Sequence, residues 1–269
     1  MMKRTIGIIT LVVIVLAVLG GFYLNQKQTP KQSIDDNLKS EIKLVAVGDS
    51  LTEGVGDTTK KGGYVNLIKE KIQKNYDTKV KTENFGIAGE TSLQINKRVT
   101  KDPKLQKSLK DADVITLTVG GNDLMHILKA KGLALSKKDV SSGTDTFEDN
   151  LNDLIVNIRR YNSKSPIYLY SIYNPFGISI KEVKYMNTAV KNWNSFSKQT
   201  VSENYNVHFV NVDKLLSNPK KTIKNKDGEA QNPYLSTDDY FHPNNKGYQL
   251  MTDELYKQMM KSREDWLEK

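Results

Sequence analysis

From Glu41 onward the chain alternates short apolar runs with longer stretches whose apolar residues recur every three or four positions. Ile42–Val47 (IKLVAV), Val80–Phe85 (VKTENF), Val114–Val119 (VITLTV), Ile167–Ile172 (IYLYSI) and Val207–Val212 (VHFVNV) are rich in β-branched and aromatic residues and have strand length. Between them, Tyr64–Tyr76, Phe147–Tyr161 and Val183–Asn204 carry helical spacing, and a last helix is expected from Lys246 to about Lys261. Strands alternating with helices predict a parallel sheet covered on both faces. The expectation is therefore an α/β fold, a three-layer α/β/α sandwich with a five-stranded parallel sheet. No internal repeat interrupts this pattern.

The N-terminus follows a different pattern. Lys3 and Arg4 precede an apolar run from Ile6 to Leu24 broken only by Thr10 and glycines. About 20 residues suffice to cross a bilayer core, whereas the apolar stretch of a cleaved secretory signal usually runs about 7–15. Residues 1–25 are thus expected to form an uncleaved signal anchor, a transmembrane helix, with cleavage near Gly20 or Gly21 as the alternative. Residues 26–40 are polar and aperiodic and read as a linker. Residues 41–269 form the single large domain. The basic pair ahead of the apolar run places that domain outside the cytoplasmic membrane, and the anchor makes the cell membrane a partner.

Composition narrows the classes. A hydrophobic fraction of 38% and a charged fraction of 26% are those of a globular protein. The absence of cysteine removes disulfides, thiolate metal sites and cysteine nucleophiles. The net charge of +9 comes mostly from lysine; the arginines are Arg4, Arg98, Arg159, Arg160 and Arg263. Without arginine clusters or a basic run interleaved with aromatics, nucleic acid is not an expected partner. An anionic membrane or wall surface suits the charge better.

Small and polar residues stand where the predicted strands end, which is the edge at which open α/β sheets bind ligands. Gly48-Asp49-Ser50 follows the first strand, NFGIAGETS (Asn84–Ser92) the second, and GGND (Gly120–Asp123) the third, while DDYFHPNN (Asp238–Asn245) lies beyond the fifth. Ser50 is either a nucleophile or a helix cap, since Asp and Ser at a helix start satisfy free N–H groups. A serine hydrolase needs a nucleophile, a base, a group to orient the base and donors for an oxyanion. Residues of each kind are present in these segments.

In these blocks the chain resembles the GDSL, or SGNH, hydrolases, a family of serine esterases and acylhydrolases, over essentially Lys43 to Lys261. The resemblance implies a nucleophile at Ser50 in GDSLTEG, oxyanion donors at Gly89 and Asn122, an acid at Asp239 and a base at His242. It implies a carboxylic ester as substrate and no metal or other cofactor. Asp239 and His242 are three residues apart, so a helical turn would set them side by side. Ser50 and Gly89 would then donate to the oxyanion through backbone N–H groups and Asn122 through its amide. Gly89 is expected to be glycine because a side chain would obstruct close backbone approach, and Asp49 is expected to hydrogen-bond the turn. His126 and His208 read as structural or surface residues.

Other readings remain open at this level. A metal-dependent phosphoesterase also uses Gly-Asp turns but needs more histidines than the three present. An acyltransferase would use the same triad, and a non-catalytic wall-binding domain would keep only the fold. Leu124, Met125, Tyr173 and Phe176 are the candidates for the substrate pocket. The segments His126–Thr146, Tyr173–Asn187 and Ser217–Thr237 read as specificity loops. The acyl part is expected to belong to a lipid or to an acylated wall sugar.

Overall fold

The computed structural model describes residues 37–132, 136–178 and 186–269. The expected N-terminal span lies outside the described residues, as does most of the linker. Among the described residues no helix is long and apolar enough to cross a membrane. The last linker residues belong to the fold: Leu38 pairs antiparallel with Glu268, and Lys39 reaches Asp113 at 2.8 Å.

Five parallel strands form the central sheet: β1 (Glu41–Gly48), β2 (Lys79–Gly86), β3 (Val114–Thr118), β4 (Ile167–Tyr170) and β5 (Val207–Val210). Their order is β2-β1-β3-β4-β5, the doubly wound arrangement in which ligands sit outside the carboxyl ends. In chain order the helices before β3 are α1 (Ser50–Glu53), α2 (Gly63–Asn75), α3 (Ser92–Lys101) and α4 (Pro103–Lys110). Those after it are α5 (Gly121–Lys131), α6 (Lys137–Tyr161), α7 (Met186–Glu203), α8 (Asp213–Ser217) and α9 (Asn245–Met259).

Alternating side chains divide the core into two halves, as the period of two in a strand requires. Val45, Val47, Ile115, Leu117 and Leu169 face α3, α4, α6 and α7, whose Ile95, Val99, Leu109, Leu151 and Trp193 are buried with them. Leu44, Ala46, Val114, Tyr168 and Tyr170 face α2 and α9, meeting Tyr64, Ile68, Ile72, Met251 and Leu255. Both faces of the sheet are thereby covered, which accounts for the near-continuous apolar composition of β3 and β4. Only β2 at the edge is largely exposed, and its lysines Lys79 and Lys81 guard it against pairing with other strands.

The expected strands end one or two residues differently, and β4 and β5 stop two residues early. The helices depart more. The stretch His126–Thr146 is not a loop: α5 runs to Lys131 and α6 begins at Lys137, with residues 133–135 outside the described residues. A capping box starts α6, where Ser136 Oγ accepts from Asp139 N at 3.2 Å and Asp139 accepts the Ser136 N–H in return. Val140, Thr144, Phe147 and Leu151 then follow at helical spacing into the core. The pair α3–α4 also fills a gap between β2 and β3 where no helix is predicted. Asp102 caps α4 ahead of Pro103 at its first position.

Candidate active site

The parallel register sets Gly48 of β1 level with Gly86 of β2 and with Thr118 of β3. Close packing at this level depends on two glycines. A Cβ on Gly48 would lie 2.3 Å from Thr118 Oγ1, and one on Gly86 would lie 2.0 Å from the backbone nitrogen of Glu53. Without side chains there, α1 starts directly over the ends of all three strands.

Asp49, not Ser50, caps α1. Its Oδ1 accepts from Leu51 N at 3.0 Å and from Thr118 Oγ1 at 2.7 Å. This agrees with the turn-bonding role expected for Asp49 and leaves the Ser50 hydroxyl uncommitted to the helix. Asp49 is buried, and its pKa is raised by burial against the opposing hydrogen bonds from Thr118 and Leu51. Thr118, Thr52, Tyr64 and Thr116 continue inward as a chain of hydroxyl contacts of 2.8–3.0 Å. Buried polar groups at this depth require such pairing.

Ser50, 6% exposed, faces the turn that precedes α9. Its Oγ lies 2.9 Å from His242 Nε2, and His242 Nδ1 lies 2.6 Å from Asp239 Oδ2. The three residues expected together are together, although 192 positions separate Ser50 from His242. The turn is not helical: Tyr240 has φ +52°. Asp239 Oδ1 accepts from Phe241 N at 2.9 Å and His242 N at 3.0 Å, and these two bonds hold the carboxylate beside the imidazole. Burial acts to raise the Asp239 pKa, yet the bonds from His242 and from the two N–H groups bring it below the usual value. An ionised Asp239 accepts a hydrogen bond from Nδ1–H, which keeps the proton on that nitrogen and leaves Nε2 to accept from the Ser50 hydroxyl.

Asn122 follows Gly121 at the start of α5. Its Nδ2 donates one proton to the Glu90 carbonyl at 2.9 Å, which fixes the amide plane, and it shares a cavity wall with Ser50. Gly89 has φ +83°, and a Cβ there would meet nothing within 4 Å. Its glycine is required by the left-handed backbone and not, as expected, by crowding. The Ser50 N–H belongs to the first turn of α1 and so has no carbonyl of its own helix to meet. Among the described residues the Gly89 N–H also meets no acceptor.

Several residues that brace this arrangement carry no mark in the sequence. Glu53 Oε2 accepts from Ala88 N at 2.5 Å, tying the Gly89 turn to the helix that bears Ser50. Arg98 donates to Glu90 at 2.6 Å and to the carbonyls of Gly48 and Phe85 at 3.2 and 3.0 Å. Asp123 accepts from Ser92 N and Oγ, joining α5 to α3, and burial raises its pKa against those bonds. In sequence each is a charged residue on a helix or turn. Only the partner's position reveals the brace.

A small cavity of about 40 Å³ opens beside Ser50, with Leu51, Val119, Tyr170, Ile172, Tyr173 and Phe241 among its walls. Of the expected pocket residues it takes in only Tyr173. Leu124 is buried at 3% exposure in the core and Met125 packs against that core. Phe176 packs on Phe241 from outside, with ring centroids 6.2 Å apart, and lines a neighbouring groove. Leu124, two residues on from Asn122, falls on the opposite side of α5, and Met125 lies a turn further along the helix. His208 bonds Asn206 at 2.7 Å and stacks on Tyr168; His126 borders a separate groove. No group of three or more residues suited to hold a metal ion occurs among the described residues.

Residues 46–250 match the model of the GDSL-like lipase/acylhydrolase family. Among curated proteins, the uncharacterized protein YpmR of Bacillus subtilis (strain 168) is 32% identical over 224 residues, 83% of each chain. The spore germination lipase LipC of Bacillus licheniformis is 26% identical over 221 residues, covering 80% of this chain and 94% of that protein. Among solved structures, the lipase Lip_vut3 from a goat rumen metagenome superposes with a TM-score of 0.66 at 23% identity, covering 81% of this chain and 97% of that one. Axe2, an acetylxylan esterase from Geobacillus stearothermophilus, gives 0.60 at 19% identity, covering 81% and 94%. These two structural likenesses show the fold.

The two aspartates make opposite contributions to stability as pH changes. Asp239, lowered in the fold, adds stability that is present above the unfolded value near 3.8 and lost as pH falls through the folded value. Asp49, raised in the fold, costs stability as pH rises through 3.8 toward its folded value. In urea unfolding, Asp239→Asn should therefore lose ground to the wild type as pH rises from about 3 to 5. Asp49→Asn, which keeps the Oδ1 acceptor, should gain ground as pH rises above about 4. Flat differences would contradict these assignments.

Proposed function

The chain belongs to the GDSL-like lipase/acylhydrolase family and is a carboxylic ester hydrolase; from that premise we propose that Ser50, His242 and Asp239 carry the reaction. The observation that supports this most is the continuous hydrogen-bonded path Ser50 Oγ, His242 Nε2, His242 Nδ1, Asp239 Oδ2. Ser50 Oγ attacks the ester carbonyl carbon while His242 Nε2 takes its proton, and Asp239 stabilises the imidazolium that forms. The carbonyl oxygen, now negative, receives hydrogen bonds from Ser50 N, Gly89 N and the free N–H of the Asn122 amide. Collapse expels the alcohol, protonated by His242, and leaves an acyl group on Ser50. Water then attacks that acyl group, with the same imidazole as base, and releases the acid and the free serine.

The acyl group lies in the cavity between α1, the start of α5 and the loop after β4, where the walls are mostly aromatic and aliphatic. Such walls suit the hydrocarbon part of a lipid ester or the small acyl group of a modified wall sugar. The domain works outside the cytoplasmic membrane, held by residues 1–25, where it meets substrates of either kind. Support for the location comes from Lys3 and Arg4 preceding the apolar run.

A fluorophosphonate probe should label the wild type at Ser50, and Ser50→Ala should lose both labelling and hydrolysis of p-nitrophenyl esters. Equal labelling of the variant would refute the assignment of the nucleophile. Asn122→Ala should lower kcat by about 10²–10³-fold with a smaller change in KM. A folded variant with near-normal kcat would leave Asn122 as a turn residue only. In cells stripped of their wall, added protease should remove the domain from the membrane, and full protection would place it inside.

A further inference from the structure

Besides packing on Gly56 and Phe176, the turn that carries the base is joined to the rest of the fold by few hydrogen bonds. Apart from bonds to its own flanks at Leu235 and Ser236, hydrogen bonds leave Asp239–Pro243 in two places among the described residues. One is the contact of His242 with Ser50. The other is the phenol of Tyr173, which donates to the Phe241 carbonyl at 2.7 Å. Tyr173 stands just past the end of β4, on the same sheet edge as Ser50. It is 8% exposed, and its ring is part of the cavity wall. Burial, followed by the nearby Asp49 and Asp239, raises its pKa well above the usual value, so the phenol keeps its proton and remains a donor.

We propose that Tyr173 is a positioning residue for the base: its hydroxyl, bound to the Phe241 carbonyl, fixes the distance between the His242 turn and the sheet edge that presents Ser50. The carbonyl of Phe241 belongs to the peptide whose nitrogen is that of His242. Holding that carbonyl therefore holds the imidazole at the residue where its own main chain begins. The Asx turn of Asp239 orients His242 relative to Asp239 but not relative to Ser50. Tyr173 supplies the missing reference to the sheet. The strained backbone of Tyr240, φ +52°, lies one residue before Phe241, where a turn free of such a tie would relax.

This inference rests on the assignment of Ser50 and His242 as nucleophile and base, so the experiment separates the two. In the full-length protein, Tyr173→Phe keeps the ring in the cavity wall and removes only the donor. Tyr168→Phe is the control: it removes a buried phenol contact of 2.7 Å, to Ser262, from within β4 and away from the cavity. With a p-nitrophenyl ester below both unfolding midpoints, Tyr173→Phe should lower kcat about 5–30-fold with KM within about twofold. Tyr168→Phe should leave both constants unchanged. In a His242→Ala background, where residual turnover comes from the oxyanion donors and binding, Tyr173→Phe should have no further effect. A Tyr173→Leu variant, which also lacks the donor, should show at least as large a loss and serves if the phenylalanine form does not fold. Wild-type kcat in Tyr173→Phe, an equal loss in Tyr168→Phe, or an undiminished loss without His242 would overturn the proposal. A wild type inert toward esters, or active after Ser50→Ala, would overturn the underlying assignment and this one with it.

Discussion

Everything at the site depends on the register of three parallel strands. Gly48, Gly86 and Thr118 stand level where β1, β2 and β3 end. Ser50, Gly89 and Asn122 follow them by two, three and four residues, and so emerge at the same edge of the sheet. A slip of one residue would turn every side chain of a strand to the other face and displace its terminal loop by about 3.3 Å. The buried halves of the core oppose such a slip, because the alternation of Leu44 and Ala46 with Val45 and Val47 matches two separate apolar layers. The packing that stabilises the fold is thus the packing that sets these three strand ends level.

On this frame the site is built by local ties of modest individual strength. A neutral hydrogen bond contributes roughly 0.5–1.5 kcal/mol net, and one to a charged group about 1.5–3. The carboxylates of Glu53, Glu90, Asp123 and Asp239 each accept a charge-assisted bond at the site. Those bonds join the loops to α1, to α3 and to each other. Burial raises the pKa of both Asp123 and Asp49, and at Asp49, the more deeply buried of the two, the shift records a cost. That cost is confined to the turn that bears the nucleophile, where the hydroxyls of Thr118, Thr52, Tyr64 and Thr116 offset part of it.

Much of this was legible in the chain because it is written in local patterns. The five strands and the helices α2, α7 and α9 follow from periodicity, whereas Ser50, Gly89, Asn122, Asp239 and His242 are singled out within the strand-end clusters by the resemblance of those blocks to the GDSL hydrolases. The extent of α6 was not, since its first ten residues are mostly polar and only Val140 and Thr144 mark the buried stripe. The cavity walls were half legible. Tyr173 follows a strand and lines the cavity, whereas Leu124 enters the core and Met125 packs against it, because the seating of α5 on the sheet, invisible in the sequence, decides their direction. Arg98 and Glu53 were unreadable for a further reason: a brace is a relation between segments, and either residue alone resembles a solvated helix face.

The central claim is convergence: three N–H donors from three strand ends meet at one point beside Ser50. A crystal structure of the protein phosphonylated at Ser50 tests it most directly, because the phosphoryl oxygen stands where the oxyanion of the reaction would. The account predicts that oxygen at about 2.7–3.1 Å from Ser50 N, Gly89 N and Asn122 Nδ2 together. An oxygen turned to solvent, or held by other groups with Gly89 and Asn122 beyond hydrogen-bond reach, would contradict it.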